Sequence, residues 1–202
     1  MTTVSFNQMK HGTRKDYAML QEFEHQFYAQ TAQRLLEQLE RQGHESLEGY
    51  SISRLEHSLQ SATRAWSDGA DDDWIVATLL HDIGDGLAPQ NHDRMAAEIL
   101  RPFVSEEVTW VVEHHGAFQM IYYAHHLVGW NPNERDRYHG HAYYQTAVDF
   151  CERWDQNCFD PDYDSQPLEF FAPFLDRVFA RKAYAPEVIK PSGNSGLPLA
   201  PQ

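Results

Sequence analysis

Apolar residues in this chain recur at every third or fourth position and nowhere alternate one in two, so the pattern supports helices and no strand of any length. Leu20, Phe23, Phe27, Thr31, Leu35 and Leu39 form one stripe along residues 16–42, and Gly43 is a stop signal. Ser53-Arg54-Leu55-Glu56 reads as a capping box, with Leu55, Leu59, Ala62 and Trp66 following at helical spacing. Asp71, Asp72 and Asp73 open a short helix over 74–81, where acids suit the helix dipole. Residues 83–89 form a loop. Asn91 caps a helix to Leu100, and Ser105 starts another through Val108, Val111, Val112 and His115. Residues 129–140 are polar and irregular, 141–154 are helical, 160–166 form an acidic loop, and 168–181 make a last helix. The expected fold class is all-α, a bundle of six or seven helices in a single domain over 1–185, with residues 186–202 extended or disordered.

Composition narrows the function classes. The 202 residues carry a formal net charge of −14, which argues against binding nucleic acid or an anionic membrane surface. No apolar run approaches the roughly 20 residues that span a bilayer, and the first residues lack a secretion signal. Two cysteines, Cys151 and Cys158, make no disulfide scaffold, so a reduced, cytoplasmic setting is expected. Of 12 histidines, nine lie between His57 and His141. In a chain poor in cysteine, such clustering directs attention to metal held by imidazole and carboxylate.

His81-Asp82, at the end of a buried-looking helix, is the centre of that cluster. A His and an Asp side by side where a helix unwinds can reach one metal, and the two carboxylate oxygens can bridge two. His57 precedes the pair on the Leu55/Leu59/Ala62 helix, and His92 starts the next helix. His115 shares the apolar face of Val108, Val111 and Val112, whereas His114 lies on a mixed face, so His115 is the better inward candidate. Asp155 follows Tyr144, Val148 and Cys151 on an apolar stripe, whereas Asp149 shares its face with Gln145, Glu152 and Arg153. Any one of these histidines alone reads as an ordinary core or surface residue. Together, an imidazole and carboxylate set on apolar faces is costly unless paired or metallated.

The order His57, His81-Asp82, His92, His115, Asp155 resembles the two-metal members of the HD-domain superfamily, over about residues 50–181. The resemblance implies one metal held by His57, His81, Asp82 and Asp155, and a second by His92, His115 and the bridging Asp82. Most of that superfamily are phosphohydrolases; a smaller branch holds mixed-valent di-iron oxygenases. Leu55-Glu56-His57-Ser58-Leu59, Ala88-Pro89-Gln90-Asn91-His92, Arg153-Trp154-Asp155 and Phe159-Asp160-Pro161-Asp162-Tyr163 are similar to the phosphonate-cleaving oxygenases, most of all those acting on a trimethylammonio-substituted 1-hydroxyethylphosphonate. This implies two iron ions, Fe(II)/Fe(III), with O2 as co-substrate, and oxidative C–P cleavage to glycine betaine and phosphate. The alternative is an HD phosphohydrolase acting on a nucleotide or small phosphomonoester; a non-catalytic metal-binding module is a third class.

Oxygenases of this branch that take a primary amine carry Tyr-x-x-Glu ahead of the first ligand histidine. Here those positions hold Leu47 and Tyr50. A primary ammonium wants a carboxylate, whereas a trimethylammonium offers no N–H and suits an aromatic face. Tyr50 is therefore either a wall of an aromatic cage or a residue that packs before the Ser53 helix. Lysine is absent from residues 16–181, leaving Arg153, His125, His126, Arg135 and Arg137 as contacts for the phosphonate besides the metals. Asp85, three residues after Asp82, is placed to support a ligand histidine or to cap the loop.

Overall fold

The computed structural model describes residues 3–44, 49–190 and 197–198. Its helices are α1 Arg14–Ala29, α2 Thr31–Gln42, α3 Arg54–Ser67, α4 Asp72–Leu80, α5 His92–Leu100, α6 Glu106–Tyr123, α7 Tyr144–Phe150, α8 Leu168–Phe179 and the single turn α9 Pro186–Ile189. No strand occurs among the described residues.

α4 is the central helix because it is apolar on all sides. Trp74 through Leu80 are all buried, and α3, α6 and α8 pack around them. Its first turn is capped by Asp71, which accepts from the Trp74 amide. α3 packs on α4 and α5 on α6, and the small residues Ser58, Ser61, Ala62 and Ala65 of α3 and Ala96 and Ala97 of α5 are buried. Phe118, Phe150, Trp154, Phe171 and Leu175 complete the core, each burial contributing about 1.5–3 kcal/mol.

Four features differ from the sequence expectation, all local. The stripe over 16–42 is two helices, broken at Gln30, and the Arg34 guanidinium donates to the Phe27 carbonyl at the break. Leu35 and Leu39 are buried, while Phe23 and Phe27 are exposed. Among the described residues the bundle therefore has eight helices of seven residues or more. α6 runs on past His115 to Tyr123. α7 gives way to a π-helical turn, Cys151–Asp155. In the segment from Pro186, the described residues include the α9 turn and Leu197, which packs on the core. No described helix is long and apolar enough to cross a membrane.

Candidate metal centre

The site lies where four elements end or bend. The α3 capping box, with Ser53 and Glu56 bonding each other's amides, fixes the first turn that carries His57. α4 unwinds at its C-cap His81 and delivers His81 and Asp82 together. Gln42 of α2 donates to the carbonyls of Asp82 and Ile83, at 3.2 and 3.3 Å, and pins this turn. His92 begins α5, and His115 stands midway along α6. Asp155 ends the π turn, a form that recurs at functional sites because it re-aims side chains.

Asp82 divides its carboxylate between two histidine pairs. Oδ2 stands 3.5 Å from Nε2 of both His57 and His81. Oδ1 stands 3.3 Å from His92 Nε2 and 3.2 Å from His115 Nε2. On the first side, Asp155 Oδ1 lies 3.4 Å from His57 Nε2 and 3.6 Å from His81 Nε2, and the two Nε2 atoms are 3.1 Å apart. Donors bound to one ion at about 2.0–2.2 Å and angles of about 90–110° lie about 3.0–3.5 Å from each other, the spacing seen here. Asp155 Oδ1 is buried and accepts no hydrogen bond, which a cation at this point would satisfy. The geometry thus fits one ion among His57, His81, Asp82 and Asp155. On the other side, Asp82 Oδ1 faces both His92 and His115, the residues a second ion would use, and His81, Asp82 and His115 bring three donor atoms within 4.8 Å of one another. His/carboxylate donor sets suit iron, manganese or zinc.

The remaining ring nitrogens fix the tautomers. His57 Nδ1 faces the Cys158 carbonyl at 3.0 Å, His81 Nδ1 the Thr78 carbonyl at 2.7 Å, and His115 Nδ1 the Val112 carbonyl at 2.6 Å. His92 Nδ1 faces Asp85 Oδ1 at 3.1 Å. Each Nδ1–H donates outward and leaves Nε2 as the inward lone pair, the arrangement that orients metal-binding imidazoles. Burial pushes the His57, His81 and His115 imidazoles down, but Asp82 and Asp155 outweigh it and raise all three. Burial lowers His92, which stays below the ordinary value. Burial likewise raises the Asp82 carboxyl, yet His81, His115 and His57 hold it well below the carboxylate range. A carboxylate field that retains protons on buried imidazoles retains cations there by the same attraction.

A cavity of about 360 Å³ opens onto His57, Asp82 and His92. Tyr50 lines it, stacked on Phe159 with ring centroids 5.5 Å apart, and Phe159 in turn lies 4.7 Å from the His57 ring. Asp85 lines it too. Arg153 does not. The π turn that sends Asp155 inward sends Arg153 to Asp68, where Nε and Nη2 donate to Oδ2 at 3.2 and 2.7 Å, and Nη1 donates to the Pro198 carbonyl. His125 and His126 are exposed on a 3-10 turn after α6, ring against ring at 3.9 Å. Arg135 and Arg137 lie on another such turn, Glu134–Tyr138, where Arg137 pairs with Glu134. None of these lines the cavity. His114 donates to the Trp110 carbonyl and stacks on that indole, away from Asp82. Leu47 lies outside the described residues.

Arg54, Gln119, Tyr122, Tyr123 and Phe159, which no sequence motif marks as site residues, also line the cavity. Arg54 precedes His57 by three residues and Gln119 follows His115 by four, so helical phase places both beside a ligand. Tyr122 and Tyr123 required knowing that α6 continues.

The described fold is helical, and paired histidines surround the His81-Asp82 dipeptide where α4 unwinds. Residues 54–148 match the family model described as HD domain. Five of the six candidate ligands fall within that span, and Asp155 lies beyond it. The chain is also similar to the [1-hydroxy-2-(trimethylamino)ethyl]phosphonate dioxygenase (glycine-betaine-forming) of Leisingera caerulea, 34% identical over 89 residues. The match covers 39% of this chain and 45% of that relative's length.

Proposed function

We propose that the chain is a di-iron oxygenase that cleaves the C–P bond of 1-hydroxy-2-(trimethylammonio)ethylphosphonate to glycine betaine and phosphate. The observation that carries this reading is the division of Asp82 between two histidine pairs, in a cavity whose other wall is aromatic. Two irons, when bound, would supply redox chemistry with dioxygen. His57, His81 and His115 would offer the Nε2 lone pair to the metals, because backbone carbonyls hold the proton at Nδ1. The stacked Tyr50–Phe159 pair presents ring faces to a cation that has no N–H to donate, an attraction of about 0.5–2 kcal/mol. With the trimethylammonium there, C1 and the phosphonate would extend toward Asp82 and His92. Tyr122 and Tyr123 flank that path.

Atoms balance with one dioxygen per substrate: one oxygen enters the carboxylate, one enters phosphate, and no external reductant is needed. Oxygen uptake and phosphate release, measured together on the quaternary and primary-amine hydroxyphosphonates, test this. The expected result is one O2 per phosphate with the quaternary substrate preferred. Phosphate released from a phosphomonoester, with no oxygen uptake on either phosphonate, would replace this reading with hydrolysis.

A further inference from the structure

Among the described residues that line the cavity, Arg54 is the one arginine or lysine. Lysine is absent from residues 16–181, and Arg153 and Arg137 are engaged elsewhere. Arg54 is the first residue of α3, on the same helix face as His57. Its Nη1 pairs with Asp85 Oδ2. Asp85 Oδ1 is 3.1 Å from His92 Nδ1, and His92 Nε2 is 3.3 Å from Asp82 Oδ1. The guanidinium is thus anchored by one nitrogen, two side chains away from the second metal position. The Arg54 and Asp85 side chains are only 14% and 17% exposed, so the pair is sheltered from bulk screening. Asp85 takes one of the five N–H donors, and the planar fork can offer two parallel bonds to a tetrahedral oxyanion.

We infer that Arg54 is the anion-reading residue of this cavity, receiving a phosphorus oxyanion beside the position framed by Asp82, His92 and His115. The inference rests on the proposed function only in naming a phosphonate as the natural source; a phosphate monoester carries the same head group. Asp85 then has two tasks, holding the fork in place and orienting His92. The arrangement also explains how an acidic chain without lysine in its core can admit an anionic substrate.

The test is calorimetric titration of the purified, metal-containing protein with methylphosphonate and, separately, with inorganic phosphate, alongside metal analysis. Arg54→Gln should weaken both by at least about tenfold with metal content unchanged, as expected for a lost charged hydrogen bond, and Arg54→Lys should retain part of the affinity. Tighter methylphosphonate indicates a C–P substrate and tighter phosphate a phosphoester; either order supports Arg54 as the contact. Wild-type affinity in Arg54→Gln, or no binding of either anion by the wild type, overturns the inference. Loss of one metal equivalent in Arg54→Gln, restored in Arg54→Lys without anion affinity, also overturns it by assigning Arg54 to positioning His92. No turnover is needed, so Arg54-dependent binding without oxygen uptake would count against the proposed function alone.

Discussion

Gln119 holds Asp155 by one oxygen only: its amide donates to Oδ2, and Oδ1 is left facing His57 and His81 with no hydrogen bond. One helix residue thereby sets which carboxylate oxygen is available to an ion. Replacing it by leucine keeps the volume and removes the donor. Gln119→Leu should lower affinity at the His57/His81 position by about 10–100-fold while leaving the His92/His115 position filled, measured by metal titration of the chelator-treated protein. Equal loss at both positions would show that Gln119 does not act through Asp155.

Gly84 is set by close approach. A Cβ at this position would stand 3.0 Å from both Cα and the carbonyl oxygen of His92, and backbone cannot swing aside as a side chain can. Gly84→Ala should therefore push the start of α5 away from Asp82 and weaken the His92 position about tenfold or more, with the helical circular dichroism retained. Metal analysis after dialysis reads the effect directly.

Tyr50 sets the preference between amines in the proposed reaction. Tyr50→Glu would place a carboxylate where a ring face stands, favouring a primary ammonium and costing the quaternary substrate about 1 kcal/mol or more, roughly fivefold in kcat/KM. An unchanged ratio of the two substrates would remove Tyr50 from the cation site.

Asp16 gives a pH dependence unconnected with metal. Its carboxylate accepts from the Thr13 hydroxyl and amide and from the Ser5 amide and hydroxyl, and these bonds hold it well below the carboxylate range. Because the folded value lies below the unfolded one, the contribution is fully present above about pH 4 and is lost as pH falls through the depressed folded value. Asp16→Asn should lower the melting temperature at neutral pH and flatten the acid side of the profile. An unchanged profile would contradict this.

Much of the centre is legible in the sequence because its ligands interrupt apolar faces. His57 and His115 sit in phase with buried stripes, and His81-Asp82 ends a wholly apolar helix. What periodicity cannot show is where a helix stops while its stripe continues in phase. Leu20 through Leu39 keep helical spacing across Gln30, and only the local backbone there ends α1. Arg153 is a candidate by residue type alone, and no periodicity shows that its guanidinium is taken by Asp68, 85 residues away in the chain. Asp155 keeps its inward place through the π turn because Trp154 and Cys151 are buried on either side of the same turn.

The central claim is that Asp82 joins two ions, and counting metal per chain tests it most directly. The wild type should hold about two ions, His92→Ala about one, and Asp82→Ala close to none, since Asp82 faces both histidine pairs. A wild type holding one ion, with His92→Ala unchanged, would contradict the account.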